Sequence, residues 1–311
     1  MRVLHCIDAV HTGGIAELIL NLHLHDRSNT TDVWAGDSGL SDEMRRKGMI
    51  IWNGAPPQEL QDSRYYDIVC GHTVGGWSHK DLFTWAKDRG ARTIECLHGM
   101  AKSPTPPELV DGFIALNTIA ADMNRHMPRV RVIYGLVDVD RFGPGSREYI
   151  GRLSRLVDEK RPQDFLALAR AYPNEKFVMA GDGPLMSQMF SSAPANLYLP
   201  GMVRDFPEFY GTLRLFVFPT RDETFSVAVA VAQAAGIPVV VQDTPALRES
   251  TGGRAFFASD EAGFRRWIDE FLSKPHVFEK VGADGRQWAY QAFDKRVVVP
   301  AWNALFREVV G

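Results

Sequence analysis

The 311-residue sequence has few cysteines, no long apolar run and little excess charge of either sign. Its three cysteines, Cys6, Cys70 and Cys96, each lie in or beside an apolar segment, which predicts buried, reduced thiols in a cytoplasmic protein rather than a disulfide framework. No apolar run approaches the roughly 18 residues that cross a bilayer, and the opening RVLHCI predicts a first strand rather than a secretory signal. A net charge of −3 provides no general attraction to nucleic acid or to an anionic membrane.

The length exceeds what one hydrophobic core usually fills, so two domains are expected. In both halves, short apolar segments alternate with amphipathic ones, which predicts two series of βα units. They include strands at 92–97, 149–153 and 251–258 and helices at 206–211 and 261–273. We therefore predict the α/β class, with two Rossmann-like, doubly wound domains facing each other across a cleft. The predicted boundaries are 1–142 for the first domain, 143–295 for the second, and 296–311 for a terminal helix that packs back toward the first.

The stretch LFVFPTRDETFSVAVAVAQAAGIPVVV, residues 215–241, predicts a βαβ unit. An apolar strand ends at Pro219, a buried helix closes at Gly236, and a second strand follows. In an open α/β sheet, ligands lie beyond the carboxyl ends of the strands, where Glu223 precedes the helix. The first turn of that helix offers backbone N–H groups to an anion, and Glu223 can accept hydrogen bonds from hydroxyls. A phosphorylated, hydroxyl-rich ligand is therefore predicted.

Two features of the first half point to the same edge of a sheet. Gly13 and Gly14 precede an amphipathic helix, where they allow a phosphate or sugar close to backbone amides, although a tight turn alone would also explain them. His72 and His98 each follow a predicted strand, so their imidazoles should lie on one rim of the sheet. A purely structural role is the alternative for either histidine.

The segments IGRLSRLVDEKRPQDFLALAR, FVMAGDGP and FPTRDETFSVAVAVAQAAGIPVVV follow one another in an order that resembles the retaining glycosyltransferases of the GT-B type. This large family includes sucrose synthase, mannosyltransferases and lipopolysaccharide glucosyltransferases. VIYGLVDVDRF resembles the family's linker, and HTGG resembles its amino-terminal glycine loop. The resemblance implies transfer of a sugar from a nucleotide diphospho-sugar to an acceptor hydroxyl, with retention of anomeric configuration.

The resemblance also implies roles for individual residues. In the first domain, Gly13 and Gly14 would lie against the donor diphosphate and sugar, and His98, in CLHG, is the catalytic candidate that approaches the sugar. In the second domain, Arg152 and Lys160 would neutralise the departing diphosphate, and Glu223, the second catalytic candidate, would bind hydroxyls of the donor sugar. The remaining implied donor-binding residues are Thr224, Phe225 and Ser226, through their backbone, and Met202 and Val203, near the base.

The sequence departs from the family's pattern at two places. The second glutamate of the paired-glutamate motif, expected eight residues after Glu223, is Val231, so the carboxylate that holds the ribose is absent. Losing such a charged hydrogen bond costs about 1.5 to 3 kcal/mol, which leaves the nucleotide open. Lys160 also lies further from Arg152 than is usual, so Arg155 or Arg161 is an alternative phosphate contact.

No metal and no other cofactor is expected, because the cationic side chains can stabilise the leaving group and the departing phosphate oxygen can take the acceptor's proton. Asp138 and Asp140 lie in the linker, so neither is a convincing metal ligand. Two alternatives remain: a catalytically degenerate sugar-nucleotide-binding or partner subunit, and another enzyme on this fold, such as a sugar-nucleotide epimerase. The acceptor is unknown, and a saccharide, a metabolite, a membrane lipid-linked sugar, a protein and a nucleic acid all stay open.

Overall fold

The computed structural model describes residues 1–9, 14–36, 41–53, 65–74 and 78–311. The chain divides into two compact units, one formed by Met1–Leu136 with Phe293–Gly311 and the other by Val137–Ala292. Phe142, where the sequence analysis places the boundary, lies inside the second unit.

The first unit is built on a seven-stranded parallel sheet in the order β3-β2-β1-β4-β5-β6-β7. Its strands are β1 (Arg2–Ala9), β2 (Thr30–Gly36), β3 (Ile51–Asn53), β4 (Ile68–Thr73), β5 (Arg92–Leu97), β6 (Gly112–Ala115) and β7 (Val130–Val132). Its first helices are α1 (Gly14–His25), α2 (Ser41–Arg46), α3 (Lys80–Asp88) and α4 (Thr118–Met123). The terminal helix α12 (Lys295–Val310) also belongs to this unit and contacts α1.

The second unit is built on a six-stranded parallel sheet in the order β10-β9-β8-β11-β12-β13. Its strands are β8 (Tyr149–Leu153), β9 (Phe177–Ala180), β10 (Leu197–Gly201), β11 (Leu213–Phe218), β12 (Val239–Gln242) and β13 (Phe256–Ala258). Its helices are α5 (Pro162–Ala171), α6 (Met186–Ser192), α7 (Phe206–Gly211), α8 (Val227–Ala234), α9 (Pro245–Ser250), α10 (Glu261–Ser273) and α11 (Pro275–Ala292). The central strands are buried on both faces, which explains their continuous apolar runs.

Strand order reverses once in the second unit, between the neighbouring strands β8 and β11. The chain winds outward from β8 to β10 on one side, then returns to β11 and winds to β13 on the other, with Phe216 of β11 paired to Gly151 of β8. The first unit reverses in the same way between β1 and β4. Such reversals open a crevice at the carboxyl ends of the two strands, because their connections run to opposite faces of the sheet. The prediction of two doubly wound α/β units is confirmed.

One predicted strand, Thr251 to Ala258, is wrong in its first half. The strand is confined to Phe256–Ala258, and Pro245–Ser250 forms the helix α9 before it. Thr244 caps this helix by accepting a hydrogen bond at Oγ1 from the amide of Leu247 at 3.2 Å, and Pro245 suits the first helical position. Residues 251–255, which the apolar pattern assigned to the strand, instead lie in the turn that follows this helix.

The three cysteines are buried and unpaired, as predicted. Burial raises the pKa of the Cys6, Cys70 and Cys96 thiols, so all three are protonated at neutral pH. Among the described residues, no helix is both long enough and apolar enough to cross a bilayer.

Candidate functional site

Three of the side chains predicted to bind a donor in the second unit gather at the carboxyl ends of β8 and β11. Arg152 lies on β8, Lys160 follows it in a 3₁₀ turn over Asp158–Lys160, and Glu223 lies in the loop between β11 and α8. These are the two strands between which the strand order reverses. The sheet topology therefore brings together residues that are 71 positions apart in the sequence, 152 and 223, at the position where α/β sheets bind ligands.

Lys160 and Glu223 form an ion pair at the centre of this site. Nζ of Lys160 donates to Oε1 of Glu223 at 2.7 Å and lies 3.4 Å from the carbonyl oxygen of Asp222. Their side chains are only 19% and 11% exposed, so solvent screens the pair poorly. Burial raises the pKa of the Glu223 carboxyl, and the Lys160 ammonium opposes that rise. No described residue hydrogen-bonds to Oε2 of Glu223, so that oxygen can accept from a ligand hydroxyl.

Arg152 is fully buried and does not present its guanidinium to the surface. Its two terminal nitrogens donate to the carbonyl oxygens of Lys160 at 2.7 Å and Arg161 at 3.2 Å, and to Oγ of Ser154 at 2.6 Å. Burial lowers the pKa of Arg152 to about 10, which still leaves it charged at neutral pH. Arg152 thus holds the turn that carries Lys160, a connection that the sequence analysis did not predict.

Two further interactions hold the same turn. Thr220, which the sequence analysis did not single out, is buried and donates from Oγ1 to the carbonyl of Lys160 at 3.3 Å. Gly181, after β9, packs so closely against this loop that an added Cβ would lie 1.8 Å from the carbonyl oxygen of Ser154, and its φ is +127°. Only glycine accepts both conditions. Residues that follow β11 and β9, the two neighbours of β8, therefore help Arg152 to hold this turn.

The segment from Thr224 to Ser226 leads into α8. All three side chains are buried, and Ser226 has a left-handed backbone with φ +62°, an unusual conformation for a residue other than glycine. Such strain is typical of segments that position a binding site. The amides of the first turn of α8 have no partner within the helix, so they can bind an anion beside Lys160.

The other residues that the sequence analysis discusses in the second unit lie on several different elements. Val231 lies about one turn into α8 and is 9% exposed, so it presents a small apolar surface where the family carries an acid. Met202 and Val203 follow β10, the edge strand, and Met202 is 50% exposed. Arg155 is exposed, and Arg161 pairs with Asp164 at 2.7 Å. No described contact assigns any of these residues to a ligand, and their roles stay predictions.

In the first unit, His98 is the last member of a row of three imidazoles. His98 Nε2 lies 2.9 Å from His72 Nδ1, and His72 Nε2 lies 2.8 Å from His5 Nδ1. The sequence analysis placed His72 and His98 on one rim but missed His5. The sequence carried no signal for this row, because the row depends on strand register. His5 pairs with Cys70, and His72 pairs with Cys96, so each histidine lies two positions from its neighbour's register partner.

The glycine loop is only partly described. Gly14 is the first residue of α1, whereas Gly13 lies outside the described residues. The helix packs its apolar side inward, with Leu18, Ile19 and Leu22 buried. The role of the two glycines at a donor stays a prediction.

Among the described residues, one group, His72, Cys96 and His98, meets the distance condition for a metal site, with ligand atoms within 4.8 Å of one another. Two facts disfavour it. The facing nitrogens of His72 and His98 hydrogen-bond to each other, and burial raises the pKa of Cys96, which disfavours the thiolate that metals require. Of the linker acids, Asp140 accepts a hydrogen bond from the Tyr290 hydroxyl at 3.1 Å.

Replacing Arg152 by methionine should lower the free energy of unfolding by about 3 kcal/mol, because two buried carbonyl groups lose their hydrogen-bond donor. Arg155→Met is the matched control, since Arg155 is exposed on the same loop, and it should change stability by less than about 0.5 kcal/mol. Urea denaturation monitored by circular dichroism measures both. Equal stabilities for the two variants would contradict a structural role for Arg152.

Comparison with known proteins supports the fold and shows which protein family the second unit resembles. Residues 147–274 match the sequence model of the family described as Glycosyl transferases group 1. A D-inositol 3-phosphate glycosyltransferase of Mycobacterium sp. (strain KMS) is 27% identical over 268 residues, covering 68% of this chain and 60% of that protein. A GDP-mannose-dependent alpha-mannosyltransferase of Mycobacterium tuberculosis (strain CDC 1551 / Oshkosh) is 28% identical over 200 residues, covering 60% and 51%. The chain therefore spans less than two thirds of the length of these relatives.

Solved structures extend the likeness to the whole chain. The crystal structure of HepE from Anabaena in complex with UDP-glucose has a TM-score of 0.82 at 15% identity, covering 99% of this chain and 100% of that one. At this identity the likeness establishes the fold and nothing further. The expected GT-B fold and the resemblance to GT-B glycosyltransferases are confirmed.

Proposed function

We propose that this chain, which has the GT-B fold and carries a group 1 glycosyl transferase domain over residues 147–274, transfers a sugar from a nucleotide diphospho-sugar to an acceptor hydroxyl. The ion pair of Lys160 and Glu223 carries this proposal. It sets a cation and an acid side by side beyond the two central strands, next to the first-turn amides of α8, which have no partner within that helix. The cation and the amides suit a diphosphate, and the acid suits the hydroxyls of a sugar linked to it.

In the proposed reaction, Lys160 and the α8 amides bind the diphosphate. Negative charge grows on the leaving phosphate oxygens in the transition state, so a fixed ammonium stabilises the transition state more than the bound donor. Glu223 binds the transferred sugar, with Oε2 accepting from a hydroxyl while Oε1 stays paired with Lys160. The pair thereby links recognition of the sugar to neutralisation of the leaving group.

Arg152 has a different role in this proposal from the direct contact with the diphosphate that the family resemblance implies. Its donors are occupied by the Lys160 and Arg161 carbonyls and by Ser154, so we assign it to holding Lys160 in place rather than to direct contact with phosphate. Its charge lies near Glu223, and its field favours the ionised carboxylate.

Retention and independence of metal are further parts of the proposal. A departing phosphate oxygen held beside the anomeric carbon can accept the acceptor's proton on the face from which it leaves, which gives retention without a separate base. We also assign His98 and the glycine loop at Gly14 to contacts with the sugar. Lys160 supplies positive charge to the leaving phosphate, the role that a bound metal ion fills in metal-dependent catalysis.

The nucleotide is open, because Val231 offers no carboxylate to a ribose. HepE binds UDP-glucose in its crystal structure, and one relative is described as GDP-mannose-dependent, so UDP- and GDP-sugars are the first donors to test here. We expect weaker selection for the ribose than an acid at position 231 would give, by about 1.5 to 3 kcal/mol.

A thermal-shift screen of UDP-, GDP-, ADP- and dTDP-sugars tests the proposal. A donor at a hundred times its dissociation constant should stabilise the protein by about 2.7 kcal/mol, and the free sugar should not. Incubating the best donor without acceptor then separates the alternatives: slow release of nucleoside diphosphate supports a transferase, whereas binding without turnover indicates a binding subunit. Conversion of the donor to an epimeric nucleotide sugar would point to an epimerase. If no nucleotide sugar stabilises the protein, the proposal fails.

A further inference from the structure

His5, His72 and His98 lie in a hydrogen-bonded row across three adjacent strands of the first unit. The ring centroids are 5.1 Å apart for His5 and His72 and 5.2 Å apart for His72 and His98, with similar tilts of 34° and 33°. Trp302 of α12 stacks on His72 at 6.2 Å and 20° and lies 5.9 Å from His5. His5 and His72 are almost completely buried and His98 is half-buried, so the row runs from the interior toward the rim of the sheet.

All three imidazoles are neutral at physiological pH. Burial lowers the pKa of His5 and of His98 to about 3 and that of His72 well below its usual value, and the neighbouring His5, His98 and His79 lower the pKa of His72 further. Each ring therefore carries one proton on one of its two nitrogens. Which nitrogen carries it decides whether that side of the ring donates or accepts.

The two hydrogen bonds leave the row only two arrangements of its protons. Each bond needs one N–H and one bare nitrogen, so a proton on Nε2 of His98 requires one on Nε2 of His72, which in turn requires one on Nε2 of His5. The other arrangement places all three protons on Nδ1. The tautomer of His98 is thus tied to that of His5, although these two rings do not touch.

Asp26 favours one of the two arrangements. Its carboxylate raises the pKa of His5, and this effect is found at neither His72 nor His98, so Asp26 acts on the buried end of the row. Hydrogen bonds hold the carboxylate there, from the amide of Ser28 at 2.8 Å and from the side chains of Asn29 at 2.7 Å and Asn303 at 3.2 Å. Nδ1 of His5 faces His72, so a negative charge at the His5 end of the row favours the arrangement in which the His5 proton lies on Nε2, away from His72.

We propose that His5 and His72 are positioning residues that hold His98 in the Nε2–H tautomer, which makes Nδ1 of His98 a hydrogen-bond acceptor for a hydroxyl of the substrate. No described residue hydrogen-bonds to this nitrogen. That the group donating to Nδ1 of His98 is a hydroxyl rests on the proposed function, because a sugar that approaches the rim presents hydroxyl donors. The coupling of the three tautomers rests on the geometry of the first unit alone.

Nitrogen-15 NMR of the full chain labelled at histidine tests the tautomers without any substrate. Long-range proton–nitrogen correlation distinguishes a protonated from a bare ring nitrogen, and we expect Nε2–H and bare Nδ1 for all three rings at pH 7. A protonated Nδ1 on His98, or different tautomers on His72 and His98, would overturn the proposal. Titration with Zn²⁺ belongs to the same experiment, because stoichiometric binding that shifts His72 and His98 together would replace the hydrogen bond by a metal site.

Two substitutions at the far end of the row test the coupling. His5→Leu removes the acceptor for His72 Nε2–H, so His98 should populate both tautomers, whereas His5→Asn keeps an acceptor oxygen near the position of Nδ1 and should preserve the wild-type spectrum. His126→Asn, which changes an exposed histidine of the same unit, is the control. Unchanged His98 nitrogens in a folded His5→Leu protein would contradict the coupling.

Transferase kinetics provide the second measurement. His5→Leu should lower kcat about tenfold, as expected for the loss of one oriented hydrogen bond, while KM changes by less than about twofold. His5→Asn should keep kcat close to the wild-type value. If wild-type protein shows no transfer with any donor, the proposed function fails while the NMR result still decides the coupling. If transfer occurs and His5→Leu retains full kcat, the positioning role fails.

Discussion

Replacing Lys160 by methionine is expected to lower kcat/KM for sugar transfer by about 10³-fold, equivalent to roughly 4 kcal/mol. The substitution keeps most of the side-chain volume but removes the ammonium that we assign to the leaving diphosphate. It also leaves Glu223 as a largely buried carboxylate without its ion-pair partner, which raises the pKa of that carboxyl further. Initial rates with the donor found in the thermal-shift screen measure the effect.

A second ion pair of the same unit provides a matched control. Lys176 lies 3.1 Å from Glu148, but the side chains are 66% and 46% exposed, so Lys176→Met removes a lysine without disturbing a buried partner. We expect this variant to keep its activity within about twofold, because exposed pairs contribute little. Similar losses for Lys160→Met and Lys176→Met would contradict the assigned role, as would a Lys160→Met protein whose loss is confined to KM.

The free energy of unfolding is expected to fall by an amount on the order of 5 kcal/mol between pH 7 and pH 5. Burial lowers the pKa of His5, His72, His98 and His79 in the folded protein, the last to about 4, whereas the unfolded chain takes up these protons near pH 6.5. Each such histidine therefore costs about 1.4 kcal/mol of stability per pH unit below 6.5, until the pH approaches its folded pKa. Glu95 opposes this trend, because burial raises its pKa to about 7.

Urea denaturation at pH 7, 6 and 5 measures this slope. His79→Gln, which removes one buried imidazole outside the row, should reduce the slope by about 1.4 kcal/mol per pH unit. His126→Gln, which replaces an exposed histidine of the same unit, is the matched control. A stability that does not change between pH 7 and pH 5 would mean that the histidines are solvated or charged in the folded protein, and it would also remove the basis for the tautomeric row.

Much of the fold was predictable because the apolar pattern of buried parallel strands is strong. Four predicted elements, Tyr149–Leu153, Phe206–Gly211, Glu261–Ser273 and Arg92–Leu97, have the observed bounds. The error at Thr251 arose where a side-chain cap at Thr244 and a proline start a short helix, a local signal that an apolar pattern does not contain. The predicted strands and helices rest mainly on apolar periodicity, which carries no information about a side-chain cap that starts a helix.

The candidate site was predictable residue by residue but not in its connections. The sequence identified Arg152, Lys160 and Glu223 through their place in a family pattern, and the structure places all three at the same sheet edge. The sequence did not reveal that the guanidinium of Arg152 turns inward to the carbonyl of Lys160, because the direction of a side chain depends on the residues packed around that side chain. His5 was missed for the same reason, since its role depends on rings supplied by two other strands.

The sequence by itself determined the kinds of group available: a series of βα units, an acid before a buried helix, a valine where the family has a second acid, and histidines in or just after apolar strands. Only the tertiary structure decided which of these groups meet. The parallel sheets bring together strands separated by dozens of residues, and hydrogen bonds of about 3 Å then pair Lys160 with Glu223 and align His5, His72 and His98. Those pairings depend on register and side-chain direction, which arise from long-range packing and are not carried by any local stretch of the chain.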